Sequence, residues 1–327
     1  MEIKIDKTAS DQRFDRFLRK WFKKYPQVHL ADIYSTIRKW LTKVNGKKVK
    51  EQYRLHEGDV VQIDDKVQMW TENLSLLVSQ KDRKLEKVDM KKIQNQILFE
   101  DDHWIVFDKP AGIPMHPWNK HRNDLSMNDY LEKYAEAYAT PTFKPSFGYR
   151  LDRDTSGILI GAKSYEALQY INTIIRDRNI DKYYLTIVEG KFPTHLLIDK
   201  PLTKTYNKKS DRSQVTIDYR EWLEAKTECR LEKTFVHPLL GQISLVKVKI
   251  HTWRMHQIRI HISDAWYPVL WDIIYGNPAA NRILYKSLNV TRQLLHCRKY
   301  SFFDPFKKDQ VVFESPLPPD FTKVLEK

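Results

Sequence analysis

The sequence predicts an α+β protein in which a domain of mixed strands and helices follows a small basic domain. From about residue 93 to the end, short apolar strands alternate with amphipathic helices in an irregular order. No glycine-rich phosphate loop is present, which argues against a doubly wound nucleotide-binding fold. The stretch 81–92 is charged and poor in apolar residues. It therefore predicts a linker between domains at 1–80 and 93–327.

Elements of the larger domain follow from their local patterns. The segment 96–110 predicts two short strands joined by an acidic turn, and 164–178 predicts a helix with Ser164 as its N-cap. The segments 182–190 and 242–252 are typical of strands.

The segment 256–265 fits two patterns. The isoleucines at 258, 260 and 262 alternate as in a strand, whereas Ile258, Ile262 and Ala265 fit one stripe of a helix. Periodicity alone leaves both structures open here.

The first 80 residues carry most of the excess charge. Between Arg13 and Arg54 the chain has 13 Lys or Arg and 3 acidic residues, a net charge of +10. The patterns predict helices at 13–22 and 32–40, a tight hairpin turn at Asn45-Gly46, and a strand within 55–63. Such a concentration of cations favours a surface for RNA phosphates. The alternative is a solvated basic face with no partner.

Composition excludes several classes of protein. The net charge of the whole chain is +14, which favours a polyanionic partner. No segment approaches 18 apolar residues and no signal sequence is visible, so we expect no membrane segment and a cytoplasmic location. Cysteine occurs only at Cys229 and Cys297. Neither a disulfide framework nor a zinc site is expected from this pair.

Ordered motifs along the chain resemble those of a known family. They are ILFEDDHWIVFDKPAGIPMHP (97–117), YRLDRDTSGILIGAKS (149–164), KYYLTIVEGK (182–191), RMHQIRIH (254–261), IIYG and LLHCRKYSFFDP. Together they resemble the RluA-type RNA pseudouridine synthases. RFDRFL, IRKW, VNGKKV and LHEGD, all before residue 60, resemble the alpha-L RNA-binding domain, which also occurs in a small-subunit ribosomal protein. The family's RluC- and RluD-like members carry this domain, and the resemblance covers nearly the whole chain.

The resemblance implies a mixed, mainly antiparallel sheet flanked by helices, and a helix at 256–265. It also implies three catalytic positions. Asp152 matches the catalytic aspartate, Tyr184 the tyrosine that packs on the target base, and Arg259 the arginine paired with the aspartate. Considered without the resemblance, a tyrosine such as Tyr184 is more often part of the core, and Arg259 could be a structural ion pair.

These residue types suit the isomerisation of uridine to pseudouridine. A carboxylate can attack the ribose, add to the base, or assist loss of a ribose proton, and the sequence leaves these three roles open. A cationic partner keeps the carboxylate ionised. An aromatic side chain offers a platform for a base that has left its helix stack.

The expected partner is RNA, with large-subunit ribosomal RNA favoured by family analogy. Alternatives are a transfer-RNA substrate, or a non-catalytic RNA-binding or ribosome-assembly protein with the same fold. The residues expected to contact RNA are Arg150, Arg153, His256 and Gln257 near the catalytic motifs, and Arg38, Lys39, Lys47 and Lys48 in the basic domain. His251, His256 and His261 are spaced by five, which fits neither one helix face nor one strand face. We therefore expect no metal at these histidines. We also expect a monomer that needs no cofactor.

Tryptophan stands where the family pattern has glycine. The positions are Trp40, Trp253, Trp266 and Trp271, with Trp118 and Trp222 as weaker candidates. Glycine occurs nine times in 327 residues, against roughly 7% in an average protein. Trp40 and Trp266 each follow a predicted helix, where a left-handed C-cap costs a residue other than glycine roughly 1–2 kcal/mol. We hypothesise that UGA codons were translated as tryptophan where the organism reads glycine. Real divergence and an inactive homologue are the alternatives.

Overall fold

The basic domain is a small sheet covered by two helices. The computed structural model describes residues 1–23, 30–65, 67, 89–116, 125–140, 143–207, 212–219 and 223–326. The elements of the basic domain are β1 (Glu2–Lys4), α1 (Phe14–Phe22), α2 (Leu30–Arg38), β2 (Thr42–Val44) and β3 (Val60–Ile63). The strands pair antiparallel in the order β1-β3-β2.

The apolar stripe predicted on the first helix forms the core of this domain. Phe14, Phe17, Leu18 and Trp21 of α1 are all buried in a cluster separate from that of the larger domain. Val44 and Lys47 bridge across the predicted turn, where Asn45 and Gly46 have φ of 50° and 71°. These positive angles are those that the Asn-Gly pair accommodates.

The larger domain contains the remaining elements. Its helices are α3 (Met90–Gln94), α4 (Met127–Tyr134), α5 (Tyr165–Arg176), α6 (Gln257–Asp264), α7 (Pro278–Leu288) and α8 (Pro319–Leu325), with a 3₁₀ turn at Glu136–Tyr138. Its strands are β4 (Ile97–Glu100), β5 (Trp104–Lys109), β6 (Ser146–Phe147), β7 (Ser156–Ala162), β8 (Asp181–Glu189), β9 (His195–Asp199), β10 (Leu202–Asn207), β11 (Arg212–Ile217), β12 (Lys226–His237), β13 (Gly241–Ile250), β14 (Leu295–Asp304) and β15 (Asp309–Glu314).

Within the described residues, ten strands of this domain form one sheet. Its order is β4-β5-β7-β14-β8-β13-β12-β9, with β6 beside β7 and β15 beside β14. β7 and β14 pair in parallel, and the other pairs are antiparallel. β10 and β11 form a separate hairpin. The predicted α+β class with a mixed, mainly antiparallel sheet is confirmed.

The local predictions in this domain are also confirmed. The two strands around the acidic turn are β4 and β5, and Ser164 caps α5 by accepting a hydrogen bond from the Ala167 N–H. The ambiguous segment 256–265 is a helix, α6, as the resemblance implied. Residues 81–88 of the predicted linker 81–92 lie outside the described residues. Residues 90–92 belong to α3, so regular structure begins slightly before residue 93, the predicted start of the larger domain.

Close approach of β7 and β14 positions the loop that precedes β7. Gly157 has φ of 109°, and a Cβ atom there would lie 2.2 Å from the Cys297 carbonyl oxygen on β14. Only glycine permits this contact between two backbones. As a result, the loop carrying Asp152 meets the middle of the sheet, close to β8.

Three of the tryptophans in question have a left-handed backbone. Trp40, Trp266 and Trp271 have φ of 59°, 70° and 59°. After α2, the Trp40 N–H donates to the Ile37 carbonyl and the Leu41 N–H to the Thr36 carbonyl. After α6, the Trp266 N–H donates to the Ser263 carbonyl and the Tyr267 N–H to the Ile262 carbonyl. Both patterns are Schellman C-caps, in which glycine is the usual left-handed residue. The predicted left-handed caps at Trp40 and Trp266 are therefore confirmed.

Trp253 differs from the other three. Its φ is not positive, so its backbone does not require glycine. The ring packs 5.0 Å from that of Tyr149, with the Lys182 ammonium 4.1 Å from its centroid. Trp118 and Trp222 lie outside the described residues.

No helix in the described part of the chain is both long enough and apolar enough to cross a lipid bilayer.

Candidate active site

Asp152 and Arg259 form an ion pair at one cavity. Arg259 Nη1 on α6 donates to Asp152 Oδ2 at 3.1 Å. Asp152 Oδ1 has no hydrogen-bond or ion-pair partner among the residues that the structure describes. The two side chains and Tyr184 line the same open cavity of about 290 Å³. The structure thus brings together the three predicted catalytic residues, which lie far apart in the sequence.

Asp272 holds the other edge of the Arg259 guanidinium. Asp272 Oδ2 accepts from Nε at 2.6 Å and Oδ1 accepts from Nη2 at 2.9 Å. Burial alone would lower the pKa of Arg259, but hydrogen bonding to Asp272 and the charges of Asp272 and Asp152 raise it. Burial would likewise raise the pKa of Asp272, yet Arg259 lowers it below its usual value. Both groups are therefore ionised at neutral pH.

Lys109 anchors the loop that carries Asp152. Its ammonium group is fully buried and donates to the carbonyl oxygens of Pro110, Arg153 and Thr155 at 2.8–2.9 Å. Two of these carbonyls, those of Arg153 and Thr155, lie just after Asp152 in the chain. Burial lowers the pKa of Lys109 from 10.5 to about 7. The lysine thus fixes the loop through its backbone rather than through the Asp152 carboxylate.

Tyr184 forms part of the apolar wall of the cavity. It lies on β8 between Val248 of β13 and Cys297 of β14, and its side chain is almost wholly buried. Burial raises the pKa of the phenol well above 10, so it is neutral at physiological pH. A flat, uncharged ring beside the carboxylate suits contact with a uracil base.

His256 stands next to the ion pair. It has φ of 54° and precedes the first residue of α6. Its Nε2 lies 3.8 Å from Asp152 Oδ2, and its Nδ1 lies 3.1 Å from the Tyr275 hydroxyl. Burial lowers the pKa of this imidazole below 6.5. A neutral imidazole at the cavity wall can donate to or accept from a polar substrate group.

Gln257, predicted to contact RNA, is saturated by protein groups. Its Oε1 accepts from the Thr252 hydroxyl and the Arg254 N–H, at 2.9 and 3.1 Å. Its Nε2 donates to the Lys226 carbonyl and the Thr227 hydroxyl, both at 3.0 Å. All four hydrogen-bonding positions of the amide are used. In this arrangement Gln257 braces the turn before α6 and has no position left for RNA.

The two arginines around Asp152 point to different places. Arg150 lines the cavity and has no hydrogen-bond or ion-pair partner within the described parts of the chain. Arg153 lies outside the cavity lining, and its Nε donates to the Gly112 carbonyl at 3.1 Å. Of the pair, Arg150 is the one that a substrate in the cavity would meet.

The predicted RNA-binding cations of the basic domain lie at its surface. Arg38 ends α2 and Lys39 follows it, while Lys47 and Lys48 follow the tight turn. All four residues are exposed. The Lys48 ammonium lies 5.0 Å from the centroid of the Trp40 ring.

The three histidines considered as metal ligands have other neighbours. His261 contacts the Thr227 hydroxyl and the Lys200 carbonyl, each at 2.9 Å, while His251 lies 3.3 Å from Glu228. Among the residues that the structure describes, no three His, Cys, Asp or Glu side chains are grouped as metal ligands.

Comparisons with known proteins identify the family. Residues 103–264 match the family described as RNA pseudouridylate synthase. A ribosomal large subunit pseudouridine synthase C of Buchnera aphidicola subsp. Baizongia pistaciae is 30% identical over 327 residues, covering 99% of this chain and 96% of the relative. This chain belongs to the RNA pseudouridine synthase family. The same-named protein of Vibrio cholerae is 29% identical to this synthase and covers 99% of it.

Solved structures share the fold of this synthase. Human RNA pseudouridylate synthase domain containing 4 matches with a TM-score of 0.56 at 19% identity, covering 76% of this chain and 96% of the human chain. Human RNA pseudouridylate synthase domain containing 1 gives a TM-score of 0.55, also at 19% identity, and covers 68% and 82%.

Sequence reasoning missed three residues of the synthase's site: Asp272, Lys109 and Tyr275. Asp272 ends the apolar segment WYPVLWD, and an acidic residue in such a run must be paired when it is buried. Lys109 ends β5 and offered a similar signal, since a strand that is buried along its length carries a lysine at its end. Tyr275 lies within the quoted IIYG motif, but nothing in the sequence indicated its partner.

Proposed function

We propose that this protein isomerises uridines of large-subunit ribosomal RNA to pseudouridine, with Asp152 as the reacting carboxylate. The observation that carries the proposal is the ion pair at the cavity, in which one oxygen of Asp152 is held by Arg259 at 3.1 Å. The other oxygen has no partner among the described residues, and Tyr184 lines the same cavity as Asp152. The relatives named ribosomal large subunit pseudouridine synthase C support ribosomal RNA as the substrate class.

The reaction leaves the atomic composition of the nucleotide unchanged. The bond between N1 of uracil and C1′ of ribose breaks, the base turns, and a bond forms between C5 and C1′. C5 then loses a proton and N1 gains one. No electron donor, acceptor or transferred group enters this balance.

The residues of the cavity divide this work. Asp152 supplies a negative charge or a nucleophile where the glycosidic bond breaks. Arg259 donates to one oxygen of that carboxylate and fixes its direction. Tyr184 offers a flat, neutral surface to the detached base, and Arg150 supplies a free cation at the cavity for the RNA chain.

The proposed activity is tested by release of tritium from RNA transcripts labelled at C5 of uridine. Loss of the C5 proton makes tritium release a direct count of turnovers. We expect release from a large-subunit ribosomal RNA transcript in buffer with EDTA and without added nucleotide. A transfer-RNA transcript is the comparison substrate. Release from the transfer RNA alone would make transfer RNA the substrate class in place of ribosomal RNA. Release from neither transcript would contradict the proposed activity.

Salt dependence tests the proposed RNA surface of the basic domain. Each phosphate contact contributes about 0.7–0.9 to the slope of log affinity against log salt. Replacing Arg38, Lys39, Lys47 and Lys48 together by alanine should therefore weaken RNA binding and lower the slope by up to about 3. The measurement is filter binding of the ribosomal transcript over a range of salt concentrations.

The matched control removes four exposed cations from the larger domain instead. These are Lys191, Arg282, Lys286 and Lys323. We expect the control variant to bind with a slope close to that of the wild type. Equal slopes for both variants and the wild type would mean that the basic domain is a solvated face.

A further inference from the structure

Tyr275 joins the hairpin of β10 and β11 to the cavity. Its hydroxyl accepts from the Val215 N–H at 2.9 Å and donates to the Val215 carbonyl at 3.2 Å. The same hydroxyl lies 3.1 Å from Nδ1 of His256 at the cavity wall. We propose that Lys204 of this hairpin binds a phosphate of the RNA at the cavity, and that Tyr275 is the positioning residue that holds Lys204 there. The inference rests on the proposed function, because the phosphate belongs to the same RNA substrate.

The register of the hairpin links Tyr275 to Lys204. Lys204 of β10 stands directly opposite Val215 of β11. Both backbone groups of Val215 bond to Tyr275, so they lie on the outer edge of β11 and face away from β10. Opposite side chains lie on one face of an antiparallel pair. On that face the Val215 side chain is buried and Lys204 lines the cavity. The position of Val215 therefore sets the position of Lys204.

The charge of Lys204 favours a phosphate as its ligand. Lys204 is exposed and has no hydrogen-bond or ion-pair partner within the described parts of the chain. The described side chains that line the cavity include one carboxylate, Asp152, against the cations Arg150, Lys204, Arg254 and Arg259. This excess of positive charge complements the backbone of an RNA that places one nucleotide in the cavity.

Tyr275 is fixed on the side of the larger domain. Its N–H donates to Asp272 Oδ1 at 3.0 Å, and its carbonyl accepts from the Ser263 hydroxyl at 2.6 Å. Its ring lies 5.3 Å from the guanidinium carbon of Arg259. These contacts do not involve the hairpin. Tyr275 can therefore act as a fixed point against which β11 is placed.

The hairpin depends on this fixed point because it is not a part of the ten-stranded sheet within the described residues. Apolar contacts also hold it, since Leu202 and Val215 form a small cluster against which Met255 and Ile260 pack. Apolar contacts are not directional, whereas the two hydrogen bonds to Tyr275 fix the strand along its length. Removing the hydroxyl should therefore leave the hairpin in contact with the domain but loosen the placement of Lys204.

The test compares Tyr275→Phe and Lys204→Ala with the wild type in the tritium-release assay on the ribosomal transcript. Phenylalanine keeps the ring beside Arg259 and removes only the hydroxyl. Loss of a hydrogen bond to a charged group weakens binding by roughly tenfold. We therefore expect each variant to raise KM by about tenfold and to keep kcat within about threefold of the wild type.

The controls remove the same groups elsewhere. Tyr170→Phe removes a hydroxyl that donates to the Phe303 carbonyl at 2.6 Å, and Lys191→Ala removes an exposed lysine. Both should keep KM close to that of the wild type. An increase in KM for these controls equal to that of Tyr275→Phe and Lys204→Ala would overturn the inference.

A double-mutant cycle tests whether Tyr275 acts through Lys204. Once Lys204→Ala is present, Tyr275→Phe should raise KM by no more than about twofold, because the group that it places is gone. Losses that multiply to about 100-fold would overturn the inference. So would an unchanged KM for either single variant, or a fall in the kcat of Tyr275→Phe without a change in KM.

Hydrogen exchange tests the placement of the hairpin without reference to activity. In Tyr275→Phe the Val215 N–H loses its acceptor, so the amides of β11 should exchange faster than in the wild type. Lys204→Ala keeps that acceptor and should exchange at the rate of the wild type. Unchanged exchange in Tyr275→Phe would overturn the positioning role. Loss of its near-UV circular dichroism would also overturn that role, since Tyr275 would then be a folding residue.

The same assays separate this inference from the proposed function. If the wild type is active and Asp152→Asn is not, but Tyr275→Phe and Lys204→Ala have the KM of the wild type, only the inference fails. If the wild type itself releases no tritium from ribosomal RNA, the proposed function fails.

Discussion

Asp152→Asn is expected to abolish pseudouridine formation while RNA binding stays nearly intact. The amide has almost the same shape as the carboxylate, but it can neither attack carbon nor stabilise positive charge. It also removes the negative charge that faces Arg259 at 3.1 Å. The fold should survive, since Asp152 lies in a loop held by Lys109 through backbone carbonyls.

The comparison for this variant is Asp154→Asn, two residues further along the same loop. The Asp154 carboxylate is more exposed than that of Asp152 and lies 4.0 Å from Arg153. We expect its variant to keep turnover within about threefold of the wild type, as for other surface substitutions. Tritium release and filter binding measure both variants. Turnover of Asp152→Asn within about tenfold of the wild type would contradict the proposal that Asp152 is the reacting carboxylate.

Trp266→Gly is expected to raise the free energy of unfolding by roughly 1–2 kcal/mol. Trp266 has φ of 70° and is 90% exposed. Glycine therefore relieves the left-handed strain, and almost no buried area is lost with the ring. Trp271→Gly should gain less, because the Trp271 ring stacks on Tyr285 at 5.9 Å. Urea denaturation followed by circular dichroism measures these differences.

Asn289→Gly is the matched control for this strain. Asn289 follows α7 with φ of 51°, and asparagine tolerates the left-handed region better than other residues that carry a side chain. This variant should differ from the wild type by only a few tenths of a kcal/mol. An equal effect at 266 and 289 would contradict the strain argument.

The origin of these tryptophans has its own measurement. If UGA was translated as tryptophan, peptide mass spectrometry of the protein from its native organism should show glycine at 40, 266 and 271. Trp21, buried in the apolar stripe of α1, should remain tryptophan. Tryptophan at all three positions would make them a real feature of the protein, and nothing in the structure would then explain them.

Local chemistry made much of the fold predictable. Ser164 predicted the start of α5 because its side chain can accept a free N–H of the first turn. Trp266 was expected to be left-handed because it follows a helix where the family has glycine. Periodicity failed at α6, since Ile258 and Ile262 satisfy both helix and strand patterns, and only the resemblance favoured the helix.

The candidate site was less predictable, because its contacts are made between distant segments. Asp152, Arg259 and Asp272 meet only because β7 pairs with β14 at Gly157 and the turn after α6 brings Asp272 back to Arg259. Gln257 is a case in which the sequence suggested a contact with RNA and the structure shows contacts within the protein instead. Its place beside His256 indicated RNA contact, whereas its amide is occupied by the neighbouring backbone and hydroxyl groups.

The central claim is tested most directly by mapping pseudouridines in the large-subunit ribosomal RNA of cells with and without this gene. We expect particular pseudouridines to disappear when the gene is deleted. They should return with the wild-type gene and stay absent with Asp152→Asn. An unchanged pseudouridine map after deletion, or full restoration by Asp152→Asn, would contradict the account.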